Sequence, residues 1–168
     1  MNPNDVSEKK VEELLGAGIN RVSLGIQSYI NKELQALGRN HDRKSAIQAT
    51  KILEDVNSTI DLIYGIEKQT PKSFTESLGK IIQSDINHLS LYQLTIEPNT
   101  IFYKKELKLP NEEEIDKIES VAKNLLEKNG YRAKGTLKKV KKIGEELGFT
   151  IDYERRNFQD WIIWSSDE

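Results

Sequence analysis

The chain has 168 residues, 31% of them charged and 36% hydrophobic, with a formal net charge of −2. This composition is typical of one soluble globular domain. The net charge shows no positive excess that would indicate binding to nucleic acid or to an anionic membrane. No apolar run approaches the ~20 residues of a membrane span, and "MNPNDVSEKK" lacks the apolar core of a signal peptide. The sequence therefore predicts a cytoplasmic protein without a membrane span and without a nucleic-acid partner.

Cysteine is absent from the sequence. The chain by itself therefore cannot form disulfides, thiolate nucleophiles or cysteine-held metal and iron–sulfur sites. Its two histidines, His41 and His88, show no metal-ligand spacing, and each is expected to bond backbone or water. Neither histidine is predicted as a site residue, and no metal site is predicted.

Helix and strand signals alternate along the first half of the chain. Apolar residues at helical spacing follow Ser7, which is a candidate N-cap. The segment "RVSLGIQS" (21–28) alternates apolar and polar residues, which predicts a strand. Asp42 can cap the next helix, and a strand from about Thr59 to Tyr64 follows it.

The same alternation continues beyond that strand. Thr70 and Pro71 indicate a helix start, and "HLSLYQLT" (88–95) predicts the third strand. Asn111 and Glu114 form a capping box before the clearest helix, which Asn129-Gly130 ends. Alternating helices and strands predict βαβ units and a parallel sheet.

The segment after residue 132 has a different composition. "KGTLKKVKKIGEELGF" (134–149) predicts a lysine-rich helix with a thin apolar stripe, and "DWIIWSSDE" (160–168) is a short apolar run. Acidic residues follow the lysines closely, so a solvated helix face is favoured over a nucleic-acid contact. We therefore predict two parts, a core over residues 1–132 and a helical tail over residues 133–168.

Polar side chains interrupt all three predicted strands. Gln27, Asp61 and either Gln93 or Thr95 lie within otherwise apolar segments, although strands buried on both faces are usually apolar throughout. If helices cover the opposite face, these groups would line one concave surface at the strand ends, where α/β folds bind ligands. The alternative is structural: Asp61 would accept hydrogen bonds from the hydroxyls of Ser58 or Thr59 or pair with an arginine.

Three ordered blocks, "GIQSYINKELQALGRNHD", "IDLIYG…QT" and "HLSLYQLTIEPNTIFYKK", resemble a known family. It is the oxygen-independent coproporphyrinogen III oxidase-like group of radical S-adenosylmethionine (SAM) proteins, and the HemW-like heme chaperone branch is the most similar. The resemblance runs from about residue 2 to residue 132. It implies an α/β fold, a partial parallel (βα) half-barrel of about three to four βα units, followed by an unrelated short α/β-type tail.

The resemblance also implies cofactor-binding residues at matching positions. Gln27 of "GIQS", Arg39 of "LGRNHD" and Asp61 of "DLIYG" are expected to line the SAM site, with Thr95 at its edge. Gln and Asp can bond a ribose or amino acid group, and Arg can pair with a carboxylate. For Arg39 the alternative is a surface salt bridge with Asp42.

The sequence departs from the family in several places. The family holds a [4Fe–4S] cluster through CxxxCxxC, which this chain lacks, and "YGIEKQT" replaces the usual "YGLPGQT". After "NGYR" the family's pattern gives way to "AKGTLKKVKKIG". In the family the strand that carries Gln27 pairs with a strand absent here, so its open edge is expected to favour self-association or a partner that supplies the missing N-terminal half.

Three functions are therefore open. The first is a truncated HemW-like relative from heme and porphyrin metabolism, inactive alone, without the cluster and with a partial SAM site, or one piece of a split protein. The second is a non-enzymatic module that binds heme or a nucleotide-like ligand. The third is an ordinary α/β domain whose polar strand residues are structural.

Overall fold

The computed structural model describes residues 1–105, 107–134 and 150–155. After a short 3₁₀ turn (Pro3–Asp5), the elements are, in chain order, α1 (Glu8–Gly16), β1 (Val22–Gln27), α2 (Asn31–Ala36), α3 (Arg43–Ile52), β2 (Ser58–Tyr64), α4 (Pro71–Ile82), β3 (His88–Gln93), α5 (Ile101–Lys104), α6 (Glu112–Lys128), β4 (Tyr131–Lys134) and β5 (Thr150–Arg155). The short helices α2 and α5 and the strands β4 and β5 were not predicted from the sequence. The predicted lysine-rich helix lies, apart from residue 134, outside the described residues.

The predicted helix starts are confirmed at the level of single hydrogen bonds. Four cap side chains accept the backbone N–H three residues ahead, namely those of Ser7, Asp42, Thr70 and Asn111. At α6 the Glu114 carboxylate also accepts the Asn111 N–H, which completes the predicted capping box. These bonds satisfy amide groups that a helix end leaves without partners, so the element boundaries follow from local sequence.

A single five-stranded sheet of order β1-β2-β3-β5-β4 organises the described chain. β1 pairs with β2 and β2 with β3 in parallel, which confirms the predicted parallel sheet. β5 inserts between β3 and β4 and is antiparallel to both. Residues 150–155 of the predicted tail therefore belong to the same sheet as the core, and the boundary at residue 132 stays a prediction.

Helices cover one face of this sheet. Leu24, Leu62 and Leu91 on that face are no more than 2% exposed. They join a core to which α3, α4 and α6 contribute Ala49, Leu78 and Leu126, among others. Burying each large apolar side chain contributes roughly 1.5–3 kcal/mol, so this face supplies most of the stability.

The outer edge of β1 is partly paired within the chain. The Met1 amino group donates to the Ser23 carbonyl at 2.6 Å, and the Gly25 N–H donates to the Met1 carbonyl at 3.0 Å. The β1 edge was predicted to be open, but at its centre it is paired with the backbone of Met1. Among the described residues no helix is both long and apolar enough to span a bilayer.

Candidate functional site

The second face of the parallel strands is polar. Gly25, Asp61 and Ser90 stand side by side in the register of β1, β2 and β3. Residues in register on parallel strands point to the same face, and neighbours along a strand point to the opposite one. Asp61 therefore points away from the buried face of Leu24 and Leu62, which explains how a carboxylate is accommodated within this strand.

Ser23 supplies a hydrogen bond to the Asp61 carboxylate. Its hydroxyl donates to Oδ2 of Asp61 at 2.7 Å, across the β1–β2 pair. The hydroxyls that the sequence suggested as partners have other contacts: Ser58 donates to the Leu53 carbonyl, and Thr59 accepts from the Arg21 guanidinium. Asp61 is half-buried, so its carboxylate borders the open side of the sheet.

Gln27 sits in a strained turn at the carboxyl end of β1. Its φ is 71°, and the Ser28 N–H donates to the Ile26 carbonyl at 2.9 Å. A bond from residue i+2 to residue i around a positive φ is the strained form of the γ-turn. Such a conformation at a residue other than glycine costs about 1–3 kcal/mol and is concentrated at functional sites. The β1–β2 register also shifts between Gly25 and Gln27.

Gly25 is the place where the Gln27 and Arg39 side chains meet. A Cβ atom added at Gly25 would lie 2.9 Å from Nε2 of Gln27 and 3.3 Å from Nη2 of Arg39. Because Gly25 is in register with Asp61, both side chains lie over the polar face. Three of the four predicted site residues, Gln27, Arg39 and Asp61, therefore share one face of the sheet.

Arg39 has a buried nitrogen that bonds to no described residue. Its Nη2 donates to the Gly25 carbonyl at 3.0 Å, while its buried Nε has no hydrogen bond within the described chain. Buried donors without partners are rare in native proteins, so an acceptor from a ligand is a natural explanation. Asp42 forms no ion pair with Arg39 in the described chain, because it caps α3 through Ser45, and those hydrogen bonds lower the pKa of its carboxyl.

The fourth predicted residue, Thr95, is exposed and lies two residues beyond the end of β3. Its place at the edge of the site stays a prediction. Gln93, the alternative on the same strand, is in register with Tyr64 and therefore faces the helix side. On β3, Ser90 is in register with Asp61 and lies on its face, as does His88 two residues earlier.

His41 binds the backbone, as expected from its loop position. Its buried Nε2 lies 3.0 Å from the Ile26 carbonyl and donates to it. Burial lowers the pKa of His41, because the charged imidazolium loses its hydration. Nδ1 is also buried without a partner, which fits a neutral ring protonated at Nε2.

Two features of the site escaped the sequence reasoning. Gly25 and Ser23 follow the same alternation as Gln27, and that pattern could have identified them. Glu33, which is only 4% exposed, binds the residue after Gln27, and no sequence signal distinguishes it from a surface glutamate of a helix.

The chemistry of the polar face fits the amino acid and ribose groups of SAM. The unpaired Nε of Arg39 suits a carboxylate, and the Gln27 amide and the Asp61 carboxylate suit ammonium or hydroxyl groups. A cysteine-held cluster does not fit this chain, because its sequence contains no cysteine. Among the described residues there is also no group of three or more histidine or acidic side chains that could hold a metal ion.

Comparison with known sequences identifies the relatives. The family model described as "Radical SAM superfamily" matches residues 1–81. The heme chaperone HemW of Escherichia coli (strain K12) is 32% identical over 164 residues, and that of Haemophilus influenzae is 34% identical over 164 residues. Both alignments cover 96% of this chain and so extend beyond residue 132, but they span only 43% and 42% of those proteins.

Comparison with solved structures gives the same fold. Coproporphyrinogen III oxidase (HemN) from Escherichia coli, a radical SAM enzyme, superposes with a TM-score of 0.74 at 22% identity, over 92% of this chain and 34% of that one. Elp3 from Methanocaldococcus infernus superposes with a TM-score of 0.64 at 26% identity, over 74% of this chain and 32% of that one. The described α/β sheet is therefore part of a radical SAM barrel fold.

Proposed function

Since the chain belongs to the HemW-like group of the radical SAM superfamily, we propose that it forms the adenosyl and methionyl side of a SAM site. Gln27, Arg39 and Asp61 bind the cofactor, and Thr95 borders it. The observation that carries this proposal is the meeting of the Gln27 and Arg39 side chains over Gly25, on the face of Asp61. In the family, SAM together with a reduced iron–sulfur cluster supplies one-electron chemistry.

The chain alone is proposed to bind without catalysing. Its 168 residues hold no cysteine, so cysteine ligands for a cluster would have to come from outside this sequence. Without such ligands these 168 residues are proposed not to cleave the cofactor. The role of the whole relatives, in heme or porphyrin metabolism, is part of this proposal, because the chain spans less than half of their length.

Calorimetric titration with S-adenosylhomocysteine tests the binding proposal. It keeps the adenosyl and amino acid groups that the three side chains would bind. We expect measurable binding to the 168-residue chain. Replacing Arg39 by Gln should weaken binding about tenfold, because a charge-assisted bond to the carboxylate is lost. Arg132→Gln, an exposed position of β4, is the matched control. Equal affinity in the wild type and the Arg39 variant would refute the proposal.

Anaerobic reconstitution with iron and sulfide tests the lack of activity. We expect no 5′-deoxyadenosine above a control without protein. Its formation by the chain alone would show that the cluster is held without cysteine, against the proposal.

Partner association follows from the exposed part of the β1 edge. β1 is an edge strand of the described sheet, and within the described chain Met1 pairs with the backbone of Ser23 and Gly25. We propose that a chain carrying the cluster motif, or a second copy of this chain, adds to this edge. Sedimentation velocity over a range of concentrations tests self-association, and a monomer at all concentrations would exclude the second copy.

A second candidate is binding of heme at the same polar face. The relatives are named heme chaperones, which favours this candidate. Titration with heme should then produce a saturable shift of the Soret band. A signal that S-adenosylhomocysteine displaces would place both ligands on this face, and no saturable shift would exclude heme.

A further inference from the structure

A buried carboxylate stands beside the candidate site without touching it. Glu33 of α2 is 4% exposed and accepts three hydrogen bonds from neutral donors. The Ser28 hydroxyl and the Gln69 amide donate to Oε2 at 2.6 and 3.0 Å, and the Ser73 hydroxyl donates to Oε1 at 2.6 Å. No ion pair to Glu33 occurs within the described chain. These donors replace the water that a buried carboxylate loses, so the four side chains must keep their places together.

The Glu33 cluster, defined as Glu33 with Ser28, Gln69 and Ser73, joins the carboxyl ends of two strands. Ser28 is the first residue after β1. Gln69 lies in the loop after β2, and its Oε1 accepts the N–H of Gly65, the first residue after that strand, at 2.8 Å. One carboxylate therefore connects the end of the strand that carries Gln27 with the end of the strand that carries Asp61.

The strained turn at Gln27 is held on both of its flanks. On one side the His41 ring donates to the Ile26 carbonyl at 3.0 Å. On the other side Ser28 is fixed by Glu33, and the Tyr29 N–H donates to the Ser77 hydroxyl at 3.1 Å. A positive φ outside glycine persists only where the surroundings determine it more than once. The turn is therefore kept by its buried neighbours rather than by its own preference.

We propose that Glu33 is a positioning residue that acts through Ser28 to hold Gln27 in this turn. The turn keeps the Gln27 amide over Gly25, next to Arg39, where the ligand would meet it. Glu33 itself contacts no ligand. The inference rests on the proposed function, since it assigns Glu33 to the same SAM-type site.

The substitution Ser28→Ala removes the hydroxyl that donates to Glu33 and accepts the Ile30 N–H, and it leaves the bonds of Glu33 to Gln69 and Ser73 in place. Ser58→Ala is the matched control: it also removes one buried hydroxyl, but at the opposite end of β2. Ser28→Ala should weaken binding of S-adenosylhomocysteine about fivefold, and Ser58→Ala should keep it within about twofold, because a site is impaired when its supporting bonds are lost. If Ser28→Ala does not fold, Ser77→Ala loosens the same flank through Tyr29.

Hydrogen exchange of single amides supplies a readout that ligand binding does not affect. In the ligand-free chain the Ser28 amide, which closes the γ-turn, should exchange about tenfold faster in Ser28→Ala than in the wild type. In Ser58→Ala its rate should stay unchanged. Loss of stability alone would accelerate exchange equally in the two variants.

The outcomes separate the two proposals. Weaker binding and faster local exchange in Ser28→Ala, but not in Ser58→Ala, support the positioning role. Equal effects of the two variants overturn it and leave the proposed function intact. If Arg39→Gln binds as tightly as the wild type, the proposed function fails, and the positioning role fails with it.

Discussion

The two faces of the parallel strands have opposite properties although the same three strands build both. On the helix side, Leu24, Leu62 and Leu91 are almost completely buried. On the other side, Gly25 and Asp61 stand in register and remain half-buried. Since side chains alternate along a strand, each segment contributes to both faces, and single substitutions can probe one face at a time. We expect the helix side to determine stability and the polar side to determine binding.

The largest expected effect is on the helix side. Leu62→Ala removes a fully buried side chain and leaves a cavity, so the free energy of unfolding should fall by about 3 kcal/mol. Leu15→Ala on the exposed side of α1 is the control and should change it by less than about 0.5 kcal/mol. Urea denaturation measures both. Equal losses would show that the helix side is not the main source of stability.

Asp61→Leu probes the neighbouring position on the polar side. Its free energy of unfolding should change by less than about 1 kcal/mol, because the side chain is only half-buried and its hydrogen bond from Ser23 is exposed. Binding of S-adenosylhomocysteine should fall at least about tenfold, since the ligand loses a charged acceptor. Urea denaturation and calorimetry separate the two effects. A large loss of stability with unchanged affinity would instead make Asp61 a structural residue.

Gly25→Ala adds one methyl group at the meeting point of Gln27 and Arg39. The Gln27 amide must move, because the new carbon would lie 2.9 Å from its nitrogen. We expect weaker ligand binding and a loss of stability of about 1 kcal/mol. Gly16→Ala at the end of α1 meets no atom within 4 Å and should stabilise the chain by about 0.5 kcal/mol. Equal ligand affinity of the Gly25→Ala and Gly16→Ala variants would contradict the proposal that the ligand binds where Gln27 and Arg39 meet over Gly25.

The smallest effect is a dependence of stability on pH through His41. Its pKa is lower in the folded chain than in the unfolded chain, where it is about 6.5, because the buried ring resists protonation. The unfolded state then binds more protons, so the free energy of unfolding falls as the pH drops below the unfolded pKa. Denaturation at pH 7.5 and 5.5 measures this slope.

His41→Gln is the control for that slope. It should reduce the dependence on pH between those two values, while any contribution of His88 remains. An unchanged slope in this variant would show that His41 does not cause the dependence.

Much of the fold could be predicted because its signals are local. Caps such as Thr70 and Asn111 satisfy amide groups within three residues, so the sequence alone reveals them. The alternation in residues 21–28 likewise indicated which side chains of β1 share a face. The strands β4 and β5 were missed, since their pairing in an antiparallel ladder depends on residues distant in sequence.

The candidate site was likewise predictable from the sequence only in part. Gln27 and Asp61 were predicted from their residue types and from the family resemblance, and Arg39 was predicted from the resemblance alone. Gln93 was assigned no definite face until the register with Tyr64 was known. The positive φ of Gln27 and the unpaired Nε of Arg39 had no signal in the sequence. Both arise where several elements meet at the end of β1.

The sequence by itself determined the alternation of helices and strands, the absence of cysteine ligands and the relation to radical SAM proteins. Those properties depend on residue identity and on spacings of a few residues. Only the tertiary structure decided that Glu33 is buried beside Gln27 and that Gly25 lies under two polar side chains. Such contacts join segments that are distant along the chain, and their geometry is fixed by how the helices and the sheet pack.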